Sequence, residues 1–560
     1  MRSPTERHPH GRPLRPVETD PYFNVPLLTI PTFYFSKKLT KFRFFSLCQR
    51  KICGMLNVYF CNGVGSSMKI GFDNELYMQK QREQILQRIS KFSGKLYLEF
   101  GGKLFDDYHA ARVLPGFEPD AKIRLLRSMA DQAEIVFCIS ADNIEKNKIR
   151  ADLGLSYDQD LLRQIDMVSG MGIAVNSVVI TRYTGQASAD QFKHKLDALG
   201  IRNYIHRPIE GYPANVDHIV SDLGYGANPY IETTKPLVVV TAPGPGSGKL
   251  ATCLSQIYHE HQRGVRSGYG KYETFPIWNL SLKHPVNLAY EAATADLQDV
   301  NMIDPFHLEE YGITTVNYNR DVEAFPLVRT ILTRITGNDK FYCSPTDMGV
   351  NMAGYAIVDD EACREASCQE VIRRYFKGLT DLKMGREQQS TVDKLEKIMQ
   401  QLDLKPSDRA VVPSALDKAQ RSGAPAAAIQ LPDGRIINGK ASPLLSACSG
   451  AVLNAIKVMA DIPKSTLLMS PAVLEPVIDL KNNLLNSRSS ALKLDDVLTA
   501  LYICAVTDET AARAVAQLPN LQGCEIHSTQ ILHSGDESIL RKMRMHLTCE
   551  PEFPNRSVLY

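Results

Sequence analysis

The chain has 560 residues, 64 Lys+Arg against 62 Asp+Glu, 44% hydrophobic and 22% charged residues, which is ordinary for a globular protein of about two to four domains. The near-neutral balance gives no electrostatic footprint for nucleic acid, and no apolar run approaches the roughly 18–20 residues that span a bilayer. The twelve cysteines are scattered, with no CxxC pair and no zinc spacing, and read as reduced thiols of a cytoplasmic protein.

Residues 1–67 stand apart. Ten Lys/Arg face three acids there, Pro and aromatics are frequent, and no period is evident. The stretch reads as a disordered or non-native basic leader, with Met68 as the start of the folded chain. A transit peptide is the alternative, but the stretch lacks the expected Ser-rich composition.

From Met68 the pattern becomes regular. "NELYMQKQREQILQRISKF" (Asn74–Phe92) gathers Leu76, Met78, Ile85, Leu86 and Ile89 near one helical face. The β-rich runs "KLYLEF", "AEIVFCIS", "IAVNSVVIT" and "IRNYIHRPI" follow. Helix candidates at Ala121–Gln132, Asp158–Met171 and Ala189–Leu199 separate them, the last stopped by Gly200. Strands alternating with helices predict an α/β fold of doubly wound, mostly parallel sheets, Rossmann-like or P-loop-like. The chain divides into an N-terminal α/β domain (68–235), a P-loop-like α/β region (236–358), a helical connector (359–404) and an α/β or α+β C-terminal domain (405–560). "LPDGRIING", with Asp433-Gly434 between apolar runs, marks a hairpin in the last.

The chemistry concentrates at "KPLVVVTAPGPGSGKLATCLSQIYHEHQRG" (Lys235–Gly264), an apolar strand, a Gly/Pro loop and a helix whose apolar face holds Leu250, Cys253, Leu254, Ile257 and Tyr258. A P-loop is GxxxxGK[ST] in this context. Aligned on Gly248-Lys249, Pro243 replaces the first Gly and Leu250 the Ser/Thr. The amides of Gly246, Ser247, Gly248, Lys249 and Leu250 remain available to cradle phosphate at the helix N-terminus. Pro243 and Pro245 lie upstream, where a missing donor matters less. Gly244, Gly246, Ser247, Gly248, Lys249 and Leu250 are therefore the expected phosphate or nucleotide contacts, with ATP or GTP as candidate cofactor. Mg²⁺ is another matter. It wants oxygen ligands, Leu250 has none, and Ser247 or Thr252 would substitute only in an unusual loop geometry. Asp304 and Asp359 are the candidate acids ending an apolar run, and each also suits a helix cap or strand end.

Gly268–His307 is dense in reactive side chains and returns the chain toward the strand ends, where α/β sheets bind ligands. Lys271 suits charge stabilisation, and Glu273 or Asp299 suits a base or metal ligand; surface turns and caps are the plainer reading of each. Weaker signals are Gly101-Gly102-Lys103 after a strand, a helix cap in "SPTDMGVN", and His527, Ser528 and His533 without a neighbouring acid. Cys253 reads as a core thiol.

"PLVVVTAPGPGSGKLATCLSQIYHE", "KYETFPIWNLSLKHPVNLAYEAATADLQDVNMIDPFHLEEYGITTVNYNRDVEAFP" and "SPTDMGVNMAGYAI" resemble a bacterial family catalogued as domain of unknown function 1846, from about Met68 to Pro554. Leu223 stands where the family wording has Glu. The resemblance implies a cytosolic α/β protein with a P-loop-like loop and leaves the reaction open. The expected ligand is a small phosphorylated molecule. Three functions follow from the residues: a phosphotransferase or nucleotide hydrolase, a non-catalytic nucleotide or metabolite sensor, and an assembly protein that forms a homo-oligomer through 359–404.

Overall fold

The computed structural model describes residues 69–92, 94–150, 153–484 and 491–554, so the basic leader lies outside the described residues. The first helix, α1 (Asn74–Lys91), is capped by the Asp73 carboxylate, which accepts from the Leu76 amide. Seven strands then build one parallel sheet: β1 (Leu96–Phe100), β2 (Ala133–Ser140), β3 (Ala174–Thr181), β4 (Asn203–Ile205), β5 (Leu237–Thr241), β6 (Gly268–Tyr272) and β7 (Gly349–Val350). Their spatial order is β7-β6-β1-β5-β2-β3-β4. The fold is α/β and parallel, and the spans on either side of residue 235 contribute to the same sheet. Every residue of β2 and β5 is buried, as expected of central parallel strands covered on both faces, which read as continuous apolar runs.

Helices α2 (Tyr157–Gly170), α3 (Ala187–Ala198) and α4 (Lys249–Gln262) are crossovers between successive strands. The helix expected over Ala121–Gln132 stops at Arg127. The Ser128 hydroxyl donates to the Leu125 carbonyl, and the chain turns there to enter β2 at Ala133. Between β6 and β7 an antiparallel pair, Asn301–Ile303 with Val316–Tyr318, precedes α5 (Asn319–Thr336).

The connector consists of α6 (Asp360–Lys383) and α7 (Gln389–Gln401). α6 carries a buried ionic lattice. The Glu370 carboxylate takes Arg112, Arg373 and Arg374, and the Arg373 guanidinium also reaches Glu525. Beyond it, β8 (Ala426–Gln430), β9 (Ile436–Lys440), β10 (Glu525–Ser528) and β11 (His546–Cys549) form a mixed sheet in the order β9-β8-β10-β11. The β8–β9 hairpin turns at Asp433-Gly434 with Gly434 at φ +85°. This sheet and its helices have their own apolar core, separate from that of the parallel sheet. Among the described residues no helix is long and apolar enough to cross a membrane.

Candidate functional site

The order of the parallel sheet sets the place. β1 continues to β2 on the far side of β5, and β5 continues to β6 on the far side of β1. Neighbouring strands whose connections depart in opposite directions form a switch point, and the crevice at their carboxyl ends is where such sheets bind ligands. The loop 242–248 leaves β5 at that point.

The loop owes its shape to two left-handed glycines, Gly246 at φ +72° and Gly248 at φ +81°. A Cβ on Gly248 would also lie 2.8 Å from the Thr181 hydroxyl oxygen, and that hydroxyl donates to the Ser247 carbonyl at 2.8 Å. Gly244 packs against the Tyr157 phenol. The amides of Gly246, Ser247, Gly248, Lys249 and Leu250 donate to no protein acceptor among the described residues. A helix start always leaves some amides over, but here the free run extends back through the loop. The hydroxyls are spent elsewhere. Ser247 Oγ donates to the Gly244 carbonyl at 2.9 Å, and Thr252 Oγ1 to the Gly248 carbonyl at 3.0 Å. Leu250 packs against the apolar core, and burial pushes the Cys253 thiol far above its ordinary range.

Charged groups from β1, β6 and α5 meet beside the loop. Lys249 Nζ lies 3.7 Å from Glu99 Oε1, and Glu99 Oε2 accepts from the Tyr269 phenol at 2.9 Å. Glu99 is directly opposite Lys271 in the β1–β6 register. Lys271 Nζ in turn is 2.7 Å from Glu273 Oε1 and 2.5 Å from Asp321 Oδ2. Burial works against the Lys271 charge, but Asp321, Glu273 and Glu99 outweigh it and hold the ammonium well above the ordinary lysine range. Burial dominates at Glu273, and Asp321 and Glu99 add repulsion. Even with Lys271 beside it, Glu273 is pushed up to about 7, the range suited to a proton acceptor at neutral pH.

The structure thus brings Lys249, Lys271 and Glu273 together. Asp299 sits apart from them. Its carboxylate is gripped by Arg320, with Oδ1 2.6 Å from Nε and Oδ2 2.7 Å from Nη2, and its carbonyl takes Lys394. It anchors the start of α5, from which the adjacent Asp321 reaches Lys271. Asp304 and Asp359 are helix caps, accepting from Phe306 and His307 amides and from the Ala362 amide respectively. The acid at a strand end is Glu99 instead. Its signal was the run "KLYLEF", in which a lone carboxylate interrupts the apolar residues one place before the end of β1. Ser344 caps Pro345–Met348. His527 does find an acid, Glu550 at 3.2 Å, but the Ser528 hydroxyl turns to the Gln530 carbonyl, so no nucleophile is aligned. Among the described residues no group of three His, Cys, Asp or Glu is placed to hold a metal; Glu99 is the carboxylate nearest the loop lysine.

Residues 70–403 match the family model described as domain of unknown function DUF1846, N-terminal, and residues 407–560 its C-terminal counterpart. The chain belongs to the DUF1846 family. A UPF0371 protein of Streptococcus sanguinis is 55% identical over 485 residues, covering 87% of this chain and 98% of the relative. One from Streptococcus thermophilus has the same identity and coverage. One from Clostridium botulinum is 52% identical over 501 residues, 88% of this chain and 100% of the relative. The matched span of the N-terminal family model includes Glu99, the loop 243–250, Lys271, Glu273 and Asp321.

Proposed function

We propose that this DUF1846 protein binds the phosphates of ATP or GTP, or of a phosphorylated small metabolite, in the loop 243–250 and transfers or hydrolyses a phosphoryl group in the cytoplasm. The observation that carries this reading is the run of five unpartnered amides, Gly246 to Leu250, which includes the amide of Lys249, a residue whose ammonium is 3.7 Å from Glu99. Oriented N–H groups and a nearby cation are what phosphoryl transfer asks of a protein, more than a covalent nucleophile. Lys271 adds positive charge from β6, on the far side of β1 from the loop. Glu273 supplies a carboxylate able to take a proton, and Asp299 contributes at one remove, by fixing the helix start that carries Asp321.

The second reading, a sensor that binds without turnover, is favoured by one specific feature. Leu250 offers no oxygen, and the hydroxyls of Ser247 and Thr252 are committed to the loop's own carbonyls. Glu99 is then the group left to hold Mg²⁺. Calorimetry of ATP and GTP binding with and without Mg²⁺, on the full chain and on Lys249→Ala, tests the proposal. Binding is expected in the full chain and a loss of at least about tenfold in the variant, since a charge-assisted phosphate contact is worth about 1.5–3 kcal/mol. Equal affinity in both proteins removes the loop from the function. Binding without release of nucleoside diphosphate selects the sensor.

A further inference from the structure

We propose that the Tyr157 hydroxyl, backed by the Lys148 ammonium, is a second phosphate contact of the loop 243–250, and that the site takes a chain of two or more phosphates. The inference rests on the phosphate-binding reading of that loop and deepens it by naming the class of ligand.

The first part of the loop is poor in donors. Pro243 and Pro245 have no N–H, so residues 243–245 keep one amide, that of Gly244, while 246–250 keep five. Tyr157 stands at that poor part. It opens α2, the crossover from β2 to β3, and its ring reaches the loop at Gly244. A Cβ on Gly244 would lie 2.4 Å from the phenol oxygen and 2.5 Å from Cζ. Gly244 is outside the left-handed region that Gly246 and Gly248 occupy, so the phenol, and not the backbone, requires a glycine there. Tyr157 is 6% exposed. Its hydroxyl bonds to no group among the described residues, yet it is not one of the sealed polar atoms of the interior. It therefore opens to solvent, at a loop whose Pro245 and Gly246 are also exposed. Lys148 stands behind the ring. Its carbonyl accepts from the Tyr157 amide at 2.9 Å, and its Nζ lies 5.3 Å from the ring centroid. The Lys148 side chain is exposed and pairs with no carboxylate among the described residues. The acids that follow Tyr157 are engaged elsewhere, Asp158 by the Ser156 hydroxyl and Asp160 by Arg150 and Arg163.

A largely buried phenol that keeps an open, unspent O–H against a glycine loop asks for an acceptor. An ionised phosphate oxygen is the strong one, and the lysine behind the ring favours the same charge. The position says which phosphate. A group held by the amides 246–250 sits at the start of α4, whereas the phenol meets the loop at Gly244, on the other side of Pro245. The two cations also come from opposite flanks of β5. Lys249 turns toward Glu99 on β1, while Lys148 and Tyr157 belong to the crossover that leaves β2, and β1 and β2 lie on either side of β5. A chain of phosphates laid across the loop meets both flanks. The phenol hydroxyl then supplies the donor that Pro243 and Pro245 withdraw, which accounts for a phosphate loop that carries two prolines.

The test is calorimetric titration of inorganic phosphate, pyrophosphate and tripolyphosphate into the full chain, Tyr157→Phe, Lys148→Met and Lys249→Ala at fixed ionic strength. Pyrophosphate should bind at least about tenfold more tightly than phosphate to the wild type. Tyr157→Phe removes the hydroxyl, keeps the ring and leaves the charge unchanged, so general electrostatics cannot account for its effect. It should lower pyrophosphate affinity about tenfold and leave phosphate affinity within about twofold. Lys148→Met should show the same selectivity with a shallower salt dependence, and Lys249→Ala should weaken all three probes. The melting temperature of Tyr157→Phe should equal that of the wild type, because the hydroxyl holds nothing inside the protein. A lower one means that it does, and overturns the contact. Equal affinity of the wild type for phosphate and pyrophosphate keeps the loop and overturns the phosphate chain. Unchanged pyrophosphate affinity in Tyr157→Phe overturns the phenol contact. Equal losses of phosphate and pyrophosphate in that variant put the hydroxyl on the first phosphate and overturn the second position. If none of the three probes binds the wild type, the phosphate reading of the loop falls, and this contact with it.

Discussion

Replacing Glu273 by Gln tests the electrostatics of the centre without any ligand. Glu273 is raised from 4.5 to about 7, the reverse of an ordinary salt-bridged carboxylate. The folded protein therefore holds a proton that the unfolded chain releases, and stability is greatest below the unfolded value and declines as pH rises through about 7. The gap of some 2.5 units at 1.36 kcal/mol per unit sets a ceiling of about 3 kcal/mol on the cost of ionising this group. The Gln variant escapes that cost but leaves Lys271 with Asp321 as its one remaining direct carboxylate partner, which returns part of the gain. The expected outcome is a variant close to wild type at pH 5 and more stable by about 1–2 kcal/mol at pH 8. Urea unfolding followed by far-ultraviolet circular dichroism at the two pH values measures it. A difference between the proteins that does not change from pH 5 to pH 8, or a variant less stable at pH 8, would refute the reasoning. A carboxylate retained at a cost to stability is the expected mark of a functional group.

Two further predictions concern the frame around the site. Gly248→Ala forces a left-handed backbone on alanine and places its methyl 2.8 Å from the Thr181 hydroxyl, whereas Gly246→Ala meets open space at a similar φ. Calorimetric melting should show a loss of about 2–4 kcal/mol for the first and about 1 kcal/mol for the second; the reverse order would mean the loop is not held by β3 as described. Arg373→Met removes the cation shared by Glu370 and Glu525 and should cost about 3–5 kcal/mol at pH 7, because the buried Glu370 and the partly buried Glu525 each lose a partner. Burial opposes ionisation of both, but Arg112, Arg373 and Arg374 at Glu370, and Arg373 and Arg409 at Glu525, hold them well below the usual carboxylate range. Their stabilisation is present above that range and is lost as pH falls, so acid unfolding of the variant should be shallower than that of the wild type. Denaturant titrations between pH 3 and pH 7 check this, and parallel pH curves would contradict it.

The sequence is legible where the physics is local. β5 and its loop follow from a run of apolar residues closed by Gly and Pro, α1 from its period, and the β8–β9 turn from Asp433-Gly434. The failures share one cause. Register between parallel strands distant in sequence leaves no trace in either strand, so nothing in "KLYLEF" says that β5 and β6 flank it. Only that placement puts Glu99 beside Lys249 and opposite Lys271. The same limit exchanged two acids. Asp299 lies nearer Lys271 in sequence than Asp321 does, but the antiparallel pair 301–303 and 316–318 folds the chain back so that Arg320 takes Asp299 and Asp321 takes Lys271. Neighbouring residues at one helix start thus face opposite tasks, one fastening the helix and the other completing the centre. Removing Asp299 should therefore disturb Lys271 through Asp321, by displacement of the helix start and without any contact of its own.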